Sequence, residues 1–302
     1  MSHDSTAETA APGRYGEVFD RGYAHYTGER LGRRQAFRSL VGFSMKRAMG
    51  IRKSWSAKIL PILLYTSAII PLVVMIGIST IAPDAGFASY STYMGIIFLI
   101  VGIFVAMSAP EMVCVDRRER TLPLYFSRAI ARFDYVNAKV VAITLLTMTL
   151  SLVPAVLLWI GRQLVDNSPL QAMRDNFGDL WRVLLLGFVT AAVLGTLGLM
   201  VSSFTDRKGV AITIILIGFL ILTGIANVSM ELLDEYDWSR YLILLSFPDV
   251  FAAISDHLFD DLDNAAVDQA DLSLAVYLGY SLALVIAGIL ILRWRYSPRD
   301  ES

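Results

Sequence analysis

Six apolar stretches alternate with polar segments along this chain, at 59–81, 93–113, 140–160, 183–203, 210–228 and 273–292. Each holds about the 20 residues that an α-helix needs to cross roughly 30 Å of hydrocarbon, so each predicts a membrane span. Between the fifth and sixth, YLILLSFPDVFAAI at 241–254 is too apolar for a free loop, too short to cross and broken by Pro248. It predicts a re-entrant or interfacial helical pair. Ahead of the first span, within 31–58, Phe37, Leu40, Val41, Ala48 and Ile51 fall at helical spacing among Arg33, Arg34, Arg38, Lys46, Arg47, Arg52 and Lys53. That pattern predicts a basic amphipathic helix lying on the inner leaflet. Residues 1–30 are polar and contain no apolar run, which predicts a disordered tail rather than a cleavable signal peptide, and 296–302 form a short second tail. The fold class is an all-α integral membrane protein with six transmembrane helices in a domain at 59–295.

Composition agrees with this reading. Of 302 residues, 55% are hydrophobic and only 18% charged, which belongs to membrane proteins rather than soluble globular ones. The net charge of -1 conceals an asymmetry along the chain. Eleven of the 26 Lys and Arg precede the first span, six lie at 114–139, Arg207 and Lys208 follow the fourth span, and Arg293, Arg295 and Arg299 close the chain. With alternating spans these all share one side, and the positive-inside rule makes that side cytoplasmic, with both termini. Arg162, Arg174, Arg182 and Arg240 fall on the other side. Trp55, Trp159, Trp181 and Trp294 lie near span ends, where indoles favour the headgroup level. The outer segment 229–272 carries eleven acidic residues against Arg240 alone. Its Asp256, Asp260, Asp261 and Asp263 read as a solvated acidic loop before they read as a cation site. Small residues recur as Ala191, Gly195, Gly198 and Ser202 in the fourth span and as Gly279, Ala283 and Ala287 in the sixth, predicting close helix contacts. Pro61, Pro71 and Pro154 predict kinks in the first and third spans.

Ionisable groups are almost missing from the spans, with Glu111 near the end of the second. Carriers driven by protons or sodium place charges at mid-membrane depth, so that class is disfavoured. No G-x-x-x-x-G-K-[ST], H-E-x-x-H or C-x-x-C occurs, and His3, His25 and His257 are scattered, so no nucleotide, metal or catalytic site is expected on this chain. A lone Cys114 excludes an intrachain disulfide. The energy source is then expected elsewhere, and the segment at 114–139, CVDRRERTLPLYFSRAIARFDYVNAK, is the best place for a soluble partner to act. It carries Arg117, Arg118, Arg120, Arg128, Arg132 and Lys139 against Asp116, Glu119 and Asp134. Leu122, Tyr125 and Phe126 stand at i, i+3 and i+4, which predicts a short helix with an apolar knob for a partner to bury. The Asp116-x-x-Glu119 pair is placed to cap its start. Basic residues this close to a membrane read as topology and lipid signals rather than as nucleic-acid ligands.

This order of elements resembles the permease subunit of ABC-2 type exporters: a basic elbow helix, six spans, a cytoplasmic island after the second and a re-entrant pair before the sixth. The family's island runs Glu-Gly-Thr-Leu, then Leu, then Ser-x-Pro-x-x-Arg, then an acidic residue and Lys before the third span. Here Glu119, Thr121, Leu122, Leu124, Ser127, Arg132, Asp134 and Lys139 fill corresponding places. Arg120 stands where Gly is usual, Ala129 where Pro is usual, and Pro123 follows the Thr-Leu pair. The topological likeness covers 31–295. The resemblance implies that the island is a coupling helix docking on a separate ABC ATPase subunit through Arg117, Arg118, Glu119, Arg120, Thr121, Leu122, Leu124, Tyr125, Phe126, Arg128 and Arg132. It implies ATP and Mg on that ATPase, with no cofactor and no enzymatic activity on this chain. It also implies a second permease copy, identical or not, a substrate path between the two, and a place in the plasma (inner) membrane of a prokaryote. Membrane lipid is the remaining expected partner, and nucleic acid is not one. The competing reading is a non-transporting scaffold or sensor that recruits a cytoplasmic partner through the same segment.

Overall fold

The computed structural model describes residues 32–51, 54–81, 89–126, 130–166, 168–233, 235–260 and 264–297. The tail expected at 1–30 and most of the tail at 296–302 lie outside them. No strand occurs among the described residues. Helix α1 (Arg33–Ala48) precedes α2 (Ser56–Ile81) and α3 (Tyr90–Arg118). A single short helix, α4 (Leu122–Phe126), separates α3 from α5 (Arg132–Val165). Then come α6 (Pro169–Asp175), α7 (Phe177–Ser202), α8 (Lys208–Leu232), α9 (Phe247–Phe259), α10 (Ala265–Ala270) and α11 (Leu274–Arg295). Six of them, α2, α3, α5, α7, α8 and α11, are long and apolar enough to cross a membrane, at the six places the apolar stretches indicate.

Ahead of α9, a 3-10 helix at Ser239–Leu245 meets it at 105°. The corner is Ser246, whose side chain accepts from the Asp249 N–H, while Pro248 sits in the first turn of α9 where its missing donor costs nothing. This is the bent pair that Pro248 predicts. Two helices run further than hydropathy alone marks. α3 continues past residue 113 to Arg118, and α5 begins at Arg132 rather than 140, so the linker between them is 119–131. Arg117 and Arg118 in the last turn of α3 and Asp134 in the first turn of α5 suit the helix dipoles.

α3 and α7 are the most deeply buried spans, α5 lies between, and α2, α8 and α11 turn most of their apolar surface outward. Ile62, Leu63, Ile70, Val73, Leu220 and Leu282 are all exposed, as residues facing hydrocarbon must be. α7 enters the centre because its stripe of small residues permits it: Ala191, Gly195, Gly198 and Ser202 are all buried. A Cβ added at Gly198 would overlap Val105 Cγ1 and lie 3.3 Å from Ala109 Cβ. Gly198→Val is therefore expected to destabilise the full chain by about 1–3 kcal/mol through overpacking. Gly279→Val, at a position with nothing within 4 Å, is expected to change little. Thermal unfolding of both variants in one detergent checks the contrast. Gly279, Ala283 and Ala287 are exposed, so the close contact expected of the sixth span is not made within this chain; α11 instead approaches α7 through Gly288, beside Thr196. Trp159 also departs from expectation. It is 6% exposed, and its Nε1 donates to the Asn176 carbonyl at 3.1 Å, because α5 runs on to Val165 and leaves it inside the packed region.

Candidate functional site

The linker 119–131 starts from a helix stop that its sequence disguises. α3 ends with Arg120 in the left-handed region, at φ 51°. The Thr121 N–H bonds to the Asp116 carbonyl at 3.0 Å and the Arg120 N–H to the Arg117 carbonyl at 3.1 Å. These are the two bonds of a Schellman motif, whose left-handed position is ordinarily glycine. Arg120 thus takes the left-handed position that Gly usually fills in this motif, at a strain cost of about 1–2 kcal/mol. The turn throws its side chain into solvent. Asp116 and Glu119 belong to the end of α3, so they do not cap the short helix α4 as their spacing suggests.

Behind this turn lies a buried carboxylate. Asp116 is 0% exposed. One oxygen takes Arg47 Nη1 of α1 at 2.6 Å. The other takes Lys139 Nζ at 2.7 Å and the Tyr135 hydroxyl at 2.9 Å, both from α5. Lys139 also donates to the Met112 carbonyl at 2.8 Å, and Arg47 reaches Glu119 at 3.1 Å. The ends of α1, α3 and α5 are therefore joined through one anion, with charge-assisted bonds of the strong kind. A second clamp lies beside it, where Arg33 of α1 holds Asp134 of α5 with bonds of 2.6 and 2.7 Å. α1 consequently turns Leu40, Ser44 and Ala48 inward, packing on α3 and α5.

Hydropathy treats Asp116 as one of three acids in a solvated loop. Helical register finds it: Val105, Ala109, Met112 and Asp116 follow one another at steps of four, three and four on the buried stripe of α3. Tyr135, Lys139 and Ala142 do the same on α5.

The predicted docking residues separate into two sets. Leu122, Tyr125 and Phe126 are half-buried and pack against the bundle, so much of the apolar knob turns inward. Tyr125, Phe126 and Tyr296 lie with ring centroids 5.7, 5.9 and 5.5 Å from that of Tyr135. Burial, with Asp116 nearby, pushes the Tyr125 hydroxyl above its ordinary range. Arg117 also turns inward, to Asp206 at 2.8 Å and the Ser203 carbonyl in the α7–α8 turn. Thr121 is half-buried under the turn. The outward set is Arg118, Glu119, Arg120 and Arg132, joined by Pro123 and by Phe133, which is 52% exposed, neither of which was among the predicted docking residues. Arg128, with Ser127 and Ala129, lies outside the described residues, as does the side chain of Leu124.

Elsewhere the bundle holds two further polar features. At the linker end, a cavity of about 190 Å³ between α1, α2, α3 and α8 contains Arg47 and the Glu111–Lys208 ion pair. At the opposite end, one of about 350 Å³ is lined by Ser91, Thr190, Asp249 and Ser255, where α9 meets α3 and α7. No group of three or more His, Cys, Asp or Glu among the described residues is placed to hold a metal. α3, although deeply buried, also opens a strip at Thr92, Gly95, Ile96 and Leu99, with Leu99 65% exposed, and an apolar cavity of about 210 Å³ runs from it to Leu216, Phe219 and Leu220 of α8.

Compared with known families, residues 63–300 match the family described as "Protein of unknown function (DUF2705)". No curated protein matches the chain.

Proposed function

We propose that this chain, which belongs to the DUF2705 family of proteins of unknown function, is the permease subunit of an ATP-driven exporter. A separate ATPase docks on the outward face of 119–131 on the cytoplasmic side, and two permease copies form the substrate path between them. One observation carries the reading. Exposed arginines at 118, 120 and 132, in and beside the linker, adjoin a buried carboxylate that ties α1, α3 and α5 together. A push at the start of that linker reaches α3 directly and, through Asp116, reaches α5 and the basic helix α1. The spans supply no coupling charge at mid-depth, and the chain has no phosphate loop, so the push has to come from outside. In this reading the α3 strip at Leu99, beside α8, faces the second copy.

Cross-linking in membranes tests the path. Leu99→Cys adds an exposed thiol, while the natural Cys114 is buried. With the ATPase present and an added oxidant to accept the two electrons, the introduced thiols of two Leu99→Cys copies are expected to form a disulfide whose yield changes when ATP is added. A yield that ignores ATP would favour a recruiting scaffold.

A further inference from the structure

α11 presents a continuous outward ridge of Leu282, Ile286, Leu290 and Trp294, at 61%, 49%, 56% and 63% exposure. The repeat of four aligns these side chains along one face, and the ridge stops at an indole flanked by two arginines. Arg293 turns toward α5, where it donates to Asn137 Oδ1 at 3.2 Å and lies 6.0 Å from the Phe133 ring. Arg295 turns toward the α7–α8 turn, 5.8 Å from the Phe204 ring. Both arginines are half-buried, and the Nε of each is buried without a hydrogen bond. Neither has a carboxylate partner among the described residues. The acids at this end are already engaged: Asp116 with Lys139 and Arg47, Asp134 with Arg33, and Asp206 with Arg117. Phe133 and Phe204 beside them are 52% and 53% exposed, so the site is open to the surroundings.

Half-buried guanidiniums without an anion are costly, and each has donors left over for one. We propose that this end of α11 binds the headgroup of an anionic phospholipid. The headgroup lies across Trp294 with a guanidinium on each flank, and an acyl chain follows Leu290, Ile286 and Leu282. The ridge and the charges together select this occupant. A soluble protein does not reach Leu282 in the apolar zone, and a second apolar helix brings no anion to Arg293 and Arg295. Indole at headgroup level and arginine beside it are the side chains such a position favours.

Native mass spectrometry of the full chain in detergent, with phosphatidylglycerol or phosphatidylcholine as probe, tests the site. The wild-type chain is expected to retain phosphatidylglycerol preferentially. R293Q/R295Q is expected to weaken that retention roughly 30-fold, the size of two cations lost at a lipid headgroup, with phosphatidylcholine unaffected. R174Q/R240Q removes two exposed charges from the opposite end of the bundle and is expected to change nothing. If the double variant does not fold, R295Q alone serves, since Arg295 makes no hydrogen bond to the described residues, and a loss of roughly fivefold is expected. The proposal is overturned if phosphatidylglycerol retention survives R293Q/R295Q or falls equally in R174Q/R240Q. It is also overturned if the arginine variants alter only the association of two copies or of another protein.

Discussion

Asp116→Ala is expected to destabilise the full chain by about 3–5 kcal/mol, because it strands Lys139 and Arg47 as buried or nearly buried cations with no shared anion. The Tyr135 hydroxyl loses its acceptor in the same step. Partners are not equivalent here, and the asymmetry makes the argument testable. Lys139→Met removes one cation but leaves Asp116 with Arg47 and Tyr135, so it should cost clearly less. Asp116→Leu combined with Lys139→Met should recover much of the loss, since no unpaired charge remains in the apolar layer and Arg47 keeps Glu119. Unfolding of the four proteins in one detergent, together with proteolysis within 33–48, reads both stability and the hold on α1. A loss below about 1 kcal/mol for Asp116→Ala would show that the carboxylate does not bear the junction.

Much of the architecture is legible in the residues because a membrane allows few solutions. An apolar run of about 20 residues has to be a helix, and six such runs gave six helices. The corner before α9 is legible for a similar reason, since Pro248 interrupts an apolar run too short to cross. Helix ends were not legible. Hydropathy sees only the apolar part of a helix, whereas Asp116, Arg117, Tyr135 and Lys139 continue α3 and α5 as polar turns. The burial of Asp116 depends on Arg47, 69 residues away in sequence, which local spacing does not reveal. The inward turn of Leu122, Tyr125 and Phe126 was hidden likewise. A helix of five residues with one apolar face has to bury it somewhere, and here that face lies against Tyr135 on α5. The small-residue stripe of α7 packs against α3 and α5, while that of α11 is left open among the described residues, and the stripe alone does not distinguish the two.

Reversing the outward charges in and beside the linker, with Arg118→Glu, Arg120→Glu and Arg132→Glu together, is expected to weaken ATPase association at least about 100-fold, since like charges brought together at an interface cost several kcal/mol. The fold should survive. All three are exposed, and among the described residues none pairs with a carboxylate; Arg132 alone has a ring beneath it, Phe126 at 5.3 Å. Leu122→Asp and Tyr125→Asp are poorer probes, because both residues rest on the bundle and their loss would disturb folding and docking at once. Central to the account is that 119–131 is where an external ATPase acts. The most direct measurement is co-purification of the full chain with a phosphate-loop ATPase from its own genome neighbourhood, comparing the natural chain with the triple variant at equal membrane insertion. The account predicts a stable complex that the three reversals abolish. A complex that forms equally well with the reversed linker would contradict it.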